Sequence, residues 1–170
     1  MMKKLFCIAL IALTTYTVHA QFTAGVSGGL PIGDSGDIAL FSIAVDLGYL
    51  FDLDDNLSAG PITGFSHSFG DDLSITNPVT GDSETIKYDD ISFLPTGARI
   101  RFDISEVFTL GADLGYAFGI SEGEDGGFYY SPKVQYSISD LIDIVLAYRG
   151  IAKQGASFDI ISFGFEFGID

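Results

Sequence analysis

The 170-residue chain contains no tryptophan and a single cysteine, Cys7, which lies in an early apolar run, LFCIALIAL. Beyond that run there is no thiol, so neither disulfides nor a thiolate site can support this fold. Basic residues are scarce: 8 Lys and Arg stand against 23 Asp and Glu, a formal net charge of −15. That balance excludes nucleic acid as a partner, because phosphates are met by basic patches. No long stretch repeats with the 3.6-residue period of an amphipathic helix, and no apolar run is long enough to cross a bilayer as one. Disorder is excluded in turn, since 47% of the residues are hydrophobic and they alternate regularly.

The first twenty residues read as a cleaved secretory signal. MMKK supplies a basic start, the apolar run follows, and Val18-His19-Ala20 offers a compact site before Gln21. The expected organisation is therefore a signal peptide at 1–20 and one domain at 21–170. Without Lys3 and Lys4 the remaining chain has 6 basic against 23 acidic residues, a formal charge of −17.

What is present is alternation. In FTLGADLGYAF, residues 108–118, the even positions carry Phe108, Leu110, Ala112, Leu114, Tyr116 and Phe118, while the odd ones carry Thr, Gly, Asp, Gly and Ala. Successive strand side chains point to opposite faces, so one face is large and apolar and the other small. Eight segments repeat this pattern, near 22–30, 40–51, 57–68, 91–102, 107–119, 127–138, 141–150 and 158–169. Their connections alternate between longer loops and tight turns, and FDLDDNLSAG, FDISEVFTLG and YSISDLIDIV read as one hairpin used three times. Long and short connections at opposite ends are what an up-and-down meander across a boundary shows.

Charge decides which face is inside. Within the strand cores every charged residue, Asp46, Arg99, Arg101, Asp113, Lys133, Asp143, Arg149 and Glu166, falls on the small-residue face, and no charge interrupts the apolar one there. Placing Arg or Lys against lipid at mid-membrane costs about 2–4 kcal/mol, so the apolar face is read as lipid-facing. The four acids and four bases then form a lumen charge network, with Asp113 and Asp46 expected to face Arg99 and Lys133, and Arg101 near Asp143 and Glu166. The fold expected is all-β: an eight-stranded antiparallel up-and-down transmembrane β-barrel, whose interior is just wide enough for side chains to fill. Phe41 to Phe51 spans the 9–11 residues of a tilted crossing strand. Aromatics gather at one rim (Phe51, Phe102, Phe108, Tyr136, Phe167) and at the other (Phe41, Phe118, Phe128, Tyr148). Pro61, Pro95 and Pro132 fall inside strands, where local bulges or ladder breaks are expected.

The last strand, SFGFEFGI, places Ser162, Gly164, Phe167 and Ile169 at a polar position, a glycine two on, and hydrophobes five and seven on. In this and in its overall pattern the chain resembles the small eight-stranded outer-membrane β-barrels of Gram-negative bacteria, the class of the outer membrane protein A transmembrane domain. The resemblance implies that these four residues are a C-terminal assembly signal read by the barrel-assembly machinery. Asp170 departs from it, because the family usually stops at an aromatic.

Other chemistry is thin. His67 is the only histidine past the signal, in SHS, and Ser66 and Ser68 point away from it on a strand, so it reads as a rim residue. Acidic loops carry Asp71, Asp72, Asp82, Glu84, Asp89 and Asp90, then Glu122, Glu124 and Asp125. Carboxylates suit hard cations that could bridge to lipopolysaccharide, but the spacing fits no EF-hand, and solvated loops are the plainer reading. No cofactor, metal site or catalytic residue is expected. The chain is read as a monomer in the bacterial outer membrane, in contact with membrane lipids and lipopolysaccharide, and as a non-enzymatic structural scaffold displaying acidic loops for interaction or envelope integrity. The alternatives are a narrow passive porin-like channel and, behind it, a lipid-modifying barrel enzyme.

Overall fold

The structure is a computed structural model and describes residues 20–76, 83–121 and 124–169. The expected signal segment, apart from Ala20, lies outside the described residues, as do Asp82, Glu122 and Asp170. Ten strands follow in order: β1 (Ala20–Ile32), β2 (Ala39–Asp54), β3 (Leu57–Gly70), β4 (Asp72–Thr76), β5 (Ser83–Lys87), β6 (Ile91–Asp103), β7 (Phe108–Gly119), β8 (Gly127–Ser139), β9 (Ile142–Lys153) and β10 (Ala156–Ile169). Eight of them close into an antiparallel barrel in the order β1-β10-β9-β8-β7-β6-β3-β2. β4 and β5 form a separate hairpin in the longest connection, from Asp72↔Lys87 to Thr76↔Ser83.

Two boundaries differ from the sequence expectation. The β4–β5 hairpin lies where a plain loop was expected. The β9–β10 connection was read as a longer loop, but pairing continues to Ala156↔Lys153. Only Gln154 and Gly155 turn there, and Gly155 supplies the positive φ of 80° that a tight hairpin turn needs.

The three turns at the other end share one register. Asp52↔Ser58, Asp103↔Thr109 and Ser137↔Asp143 are equivalent pairs. In two of them the ladder shifts register at the next step, Asp52/Asp54 and Ser137/Ser139. The similarity of the three turn sequences is thus a similarity of geometry. Each proline keeps its place against one neighbouring strand and interrupts the ladder on the other. Pro132 pairs with Ala112, but no pairs join β8 and β9 between Tyr130↔Gly150 and Lys133↔Ala147. Pro95 pairs with Ala117, and the β3–β6 ladder is broken between Thr63↔Thr96 and Ser66↔Phe93. A missing N–H is tolerated in a closed sheet by confining the break to one side.

The faces separate as alternation requires. Val45 is 47% exposed, Leu114 52% and Phe163 54%, whereas their inward neighbours Asp46, Asp113 and Ser162 are buried. A continuous outward belt of this kind is unstable in water and suits acyl chains. The lumen is not small and polar throughout, as the sequence reading had it. At the loop end Ile62, Ile91, Phe93, Tyr129, Phe158 and Ile160 turn inward and pack into an apolar cluster, with the Phe93 and Phe158 rings 5.6 Å apart. Large inward hydrophobes bury area without a partner of matching charge, so they fill this end well.

Candidate functional site

The residues singled out for chemistry converge at mid-height in the lumen, just below the apolar cluster. Arg99 and Asp113 are direct cross-strand partners on β6 and β7, and their side chains meet in a two-point pairing, Nε to Oδ1 at 2.6 Å and Nη2 to Oδ2 at 2.9 Å. Lys133, one strand further on, donates to Asp113 Oδ2 at 2.5 Å. Arg99 Nη1 also crosses the lumen to Glu166 Oε2 on β10 at 2.5 Å, and Glu166 pairs in turn with Arg101. Gln135 donates its amide to Glu166 Oε1 at 3.1 Å. Arg99 and Asp113 are effectively sealed, with 1% and 0% exposure.

A second pairing lies beside this one, with Asp46 and Arg149 lining a small gap together with Lys133 and Glu166. Asp46 pairs with Arg149, not with Arg99 or Lys133 as the sequence reading arranged it. The reason is steric. Asp46 on β2 and Arg149 on β9 are separated around the wall by β1 and β10, and the residues between them, Gly25, Ser27 and Ser162, are small enough for the guanidinium to reach across. Ser162 Oγ accepts from Nε at 3.3 Å, Ser27 Oγ from Nη2 at 3.4 Å and Tyr129 Oη from Nη1 at 3.5 Å. Asp143 makes no charge pair among the described residues and accepts instead from Ser137 Oγ at 2.6 Å.

Glycine makes room for these side chains. A Cβ on Gly64 would lie 2.6 Å from Asp46 Oδ1, and one on Gly111 would lie 2.9 Å from Lys133 Cγ. Glycine's close approach, not its conformational freedom, is what the lumen uses here. Of the four residues read as an assembly signal, Ser162 and Gly164 face the lumen while Phe167 and Ile169 lie on the exposed outer belt.

Below the ion pairs, at the turn end, the lumen opens into a cavity of 580 Å³. Two of the hairpin register pairs line it with an acid bonded to a hydroxyl, Thr109 Oγ1 to Asp103 Oδ1 at 2.5 Å and Ser137 Oγ to Asp143 Oδ1. Asp52, Asp55, Glu106, Asp140 and Glu166 add five more carboxylates, against Arg101 as the single base in the lining. Among the described residues no group of three or more His, Cys, Asp or Glu is placed to hold a metal ion.

One constellation was missed from the sequence. His67 on β3 is the cross-strand partner of Ser92 on β6, with Nδ1 2.8 Å from Ser92 Oγ and Nε2 3.4 Å from Asp90 Oδ2. Alternation along β3 relates His67 only to the serines of its own strand, Ser66 and Ser68. The register of β3 against β6, across a twenty-residue connection, was the missing information.

A closed eight-stranded antiparallel sheet with an apolar outer belt and ions sealed within defines a transmembrane β-barrel. No protein-family model matches the chain, and no curated protein matches it by sequence. Solved structures do. A de novo designed transmembrane β-barrel superposes with a TM-score of 0.54 at 11% identity, over 88% of this chain and 95% of that one. The crystal structure of Ail, the attachment invasion locus protein of Yersinia pestis, gives 0.54 at 15% identity, over 88% and 97%. The same outer membrane protein in a phospholipid bilayer nanodisc gives 0.53 at 15%, over 89% and 100%. The chain has the fold of the small eight-stranded outer-membrane β-barrels.

Proposed function

We propose that this chain is an integral outer-membrane barrel whose lumen does not conduct and whose work is done by what it displays at the loop end. The observation that carries this reading is the double closure of the lumen: an apolar cluster stacked on a layer of mutually paired ions. Water or an ion passing through would have to separate Arg99 from Asp113 and Glu166, leaving charges unpaired in a sealed interior. It would then have to pass Phe93 and Phe158.

The displayed surface is acidic. Asp34, Asp37, Asp71, Asp72, Asp89 and Asp125 stand exposed or half-exposed on the connections at that end. Ail, with the same fold, is named for attachment and invasion, and that name supports a display role for the loops over a transport role for the lumen. Such a role needs no catalysis. It is compatible with a monomer inserted by the barrel-assembly machinery through the last strand, in contact with lipid and lipopolysaccharide around its belt.

The test is electrical. Refolded barrel in planar bilayers is expected to show no steady unitary conductance. Stable openings that change on replacing Arg99 or Asp113 would instead establish the narrow-channel alternative.

A further inference from the structure

The display role leaves Ser92, His67 and Asp90 without a purpose, and their arrangement is that of a nucleophile, a base and an orienting acid. All three sit where β3 and β6 meet the long connection. On β3 the outward residues are Phe65, His67 and Phe69, and on β6 they are Ser92 and Leu94, so the imidazole and the hydroxyl share the lipid side of the wall. Phe65 stacks parallel to the imidazole with centroids 6.5 Å apart, and Phe69 meets it edge-on at 4.6 Å. Ser92 is 9% exposed and is held from behind, its N–H donating to Ser121 Oγ at 2.9 Å and its carbonyl accepting from Ile120 N at 3.0 Å. Asp90 Oδ1 accepts the Gly70 N–H at 2.9 Å, which fixes the carboxylate while Oδ2 faces His67.

We infer that this corner is a hydrolytic site for long-chain acyl esters of membrane lipid. Asp90 favours the tautomer with the proton on Nε2, which leaves the Nδ1 lone pair to accept the Ser92 hydroxyl proton. Ser92 Oγ then bonds to the ester carbonyl carbon as its proton passes to Nδ1. Collapse of the tetrahedral adduct breaks the bond to the alkoxide, which leaves with that proton as the alcohol. Water, deprotonated by the same nitrogen, attacks the acyl-serine and releases the fatty acid, restoring Ser92. Nothing beyond ester and water is consumed. The flanking Phe65 and Phe69 side chains, both outward, give an acyl chain an apolar bed at the rim. Asp90 acts as a positioning residue, since of the reacting pair it touches the histidine and not Ser92.

The probe is a long-chain alkyl fluorophosphonate, applied to the refolded full-length barrel in detergent, with the folded state checked by heat-dependent electrophoretic mobility. The expected result is a covalent adduct on Ser92, absent from Ser92→Ala and slowed about 10²- to 10⁴-fold in His67→Gln. Labelling should be retained in Ser66→Ala, whose hydroxyl faces the lumen, and slowing in Asp90→Asn should be relieved by Asp90→Glu. Folded wild-type protein that is labelled no faster than Ser92→Ala overturns the proposal. Two further arms, mixed micelles of phosphatidylethanolamine and of lipopolysaccharide, identify the ester by which of them releases fatty acid in a Ser92-dependent way. Release from neither, despite an adduct on Ser92, also overturns it. The conductance test above is unaffected by either outcome, so the two readings stand or fall separately.

Discussion

Toward the loop end of the lumen Phe93, Phe158, Ile62 and Ile160 exclude water by packing. Toward the turn end Asp52, Asp103, Asp140 and Asp143 stand around an open cavity. Between them lies a layer in which nearly every charge is bonded to an opposite one. The difference shows how a barrel too narrow for a pore can be filled. The apolar half relies on burial, which needs volume but no partner. The open half leaves its carboxylates in water, where a charge costs little. Only the middle layer is both ionic and dry, so only there does each side chain depend on a particular other one.

The largest effect should therefore come from the Asp46–Arg149 pair in that middle layer. Asp46→Leu leaves the Arg149 guanidinium buried with hydroxyl partners alone, and breaking a buried pair from one side costs about 3–5 kcal/mol. Arg149→Met should cost as much, for the mirror reason. The double variant Asp46→Leu with Arg149→Met removes both charges and is expected to cost less than either single change. Equilibrium unfolding in urea from lipid vesicles measures all three. Additive costs would mean that the two groups are not energetically coupled, and the layer would lose its special standing beside the apolar half.

The apolar half predicts a smaller and differently shaped response. Ile160→Val removes one buried methylene from the cluster and should cost about 0.5–1.5 kcal/mol. Because no charge is involved, the loss should be the same at low and high salt in the same unfolding experiment. A loss that disappears in salt would mean that Ile160 acts by holding the ionic layer beneath it, and the two halves would not be independent.

How much of this could be read from residues alone follows the same division. The lipid-facing parity was legible because a charge on the wrong face is costly enough to be absent from the strand centres, so Asp46, Arg99, Asp113, Lys133, Arg149 and Glu166 mark the inside of six strands without any knowledge of pairing. The triple hairpin was legible because the turn sequences repeat. The apolar cluster was not, although Phe93, Ile151 and Phe158 stand on the charged parity: they lie near strand ends, where parity was not followed. Partners around the wall were the hardest part. Arg99 and Asp113 are adjacent in register, but Asp46 meets Arg149 only because Ser27, Ser162 and Gly25 are small, a property of two other strands. His67 and Ser92 needed the register across the β4–β5 excursion.

The smallest effect is expected in the open half, and it is the sharpest control on the comparison. Asp103 lines the cavity beside Asp52, Glu106 and Asp140, and its side chain accepts the Thr109 hydroxyl proton, which an amide oxygen can also accept. Asp103→Asn removes one of several like charges from a wet ring. At low salt it should stabilise the barrel slightly, within about 0.5 kcal/mol, as exposed charges away from packed features do. In 1 M salt, where screening acts over about 3 Å, the gain should vanish. A loss of several kcal/mol instead would place Asp103 with Asp46 and Asp113 as a partner the fold requires, and the cavity would have to be counted as part of the ionic layer.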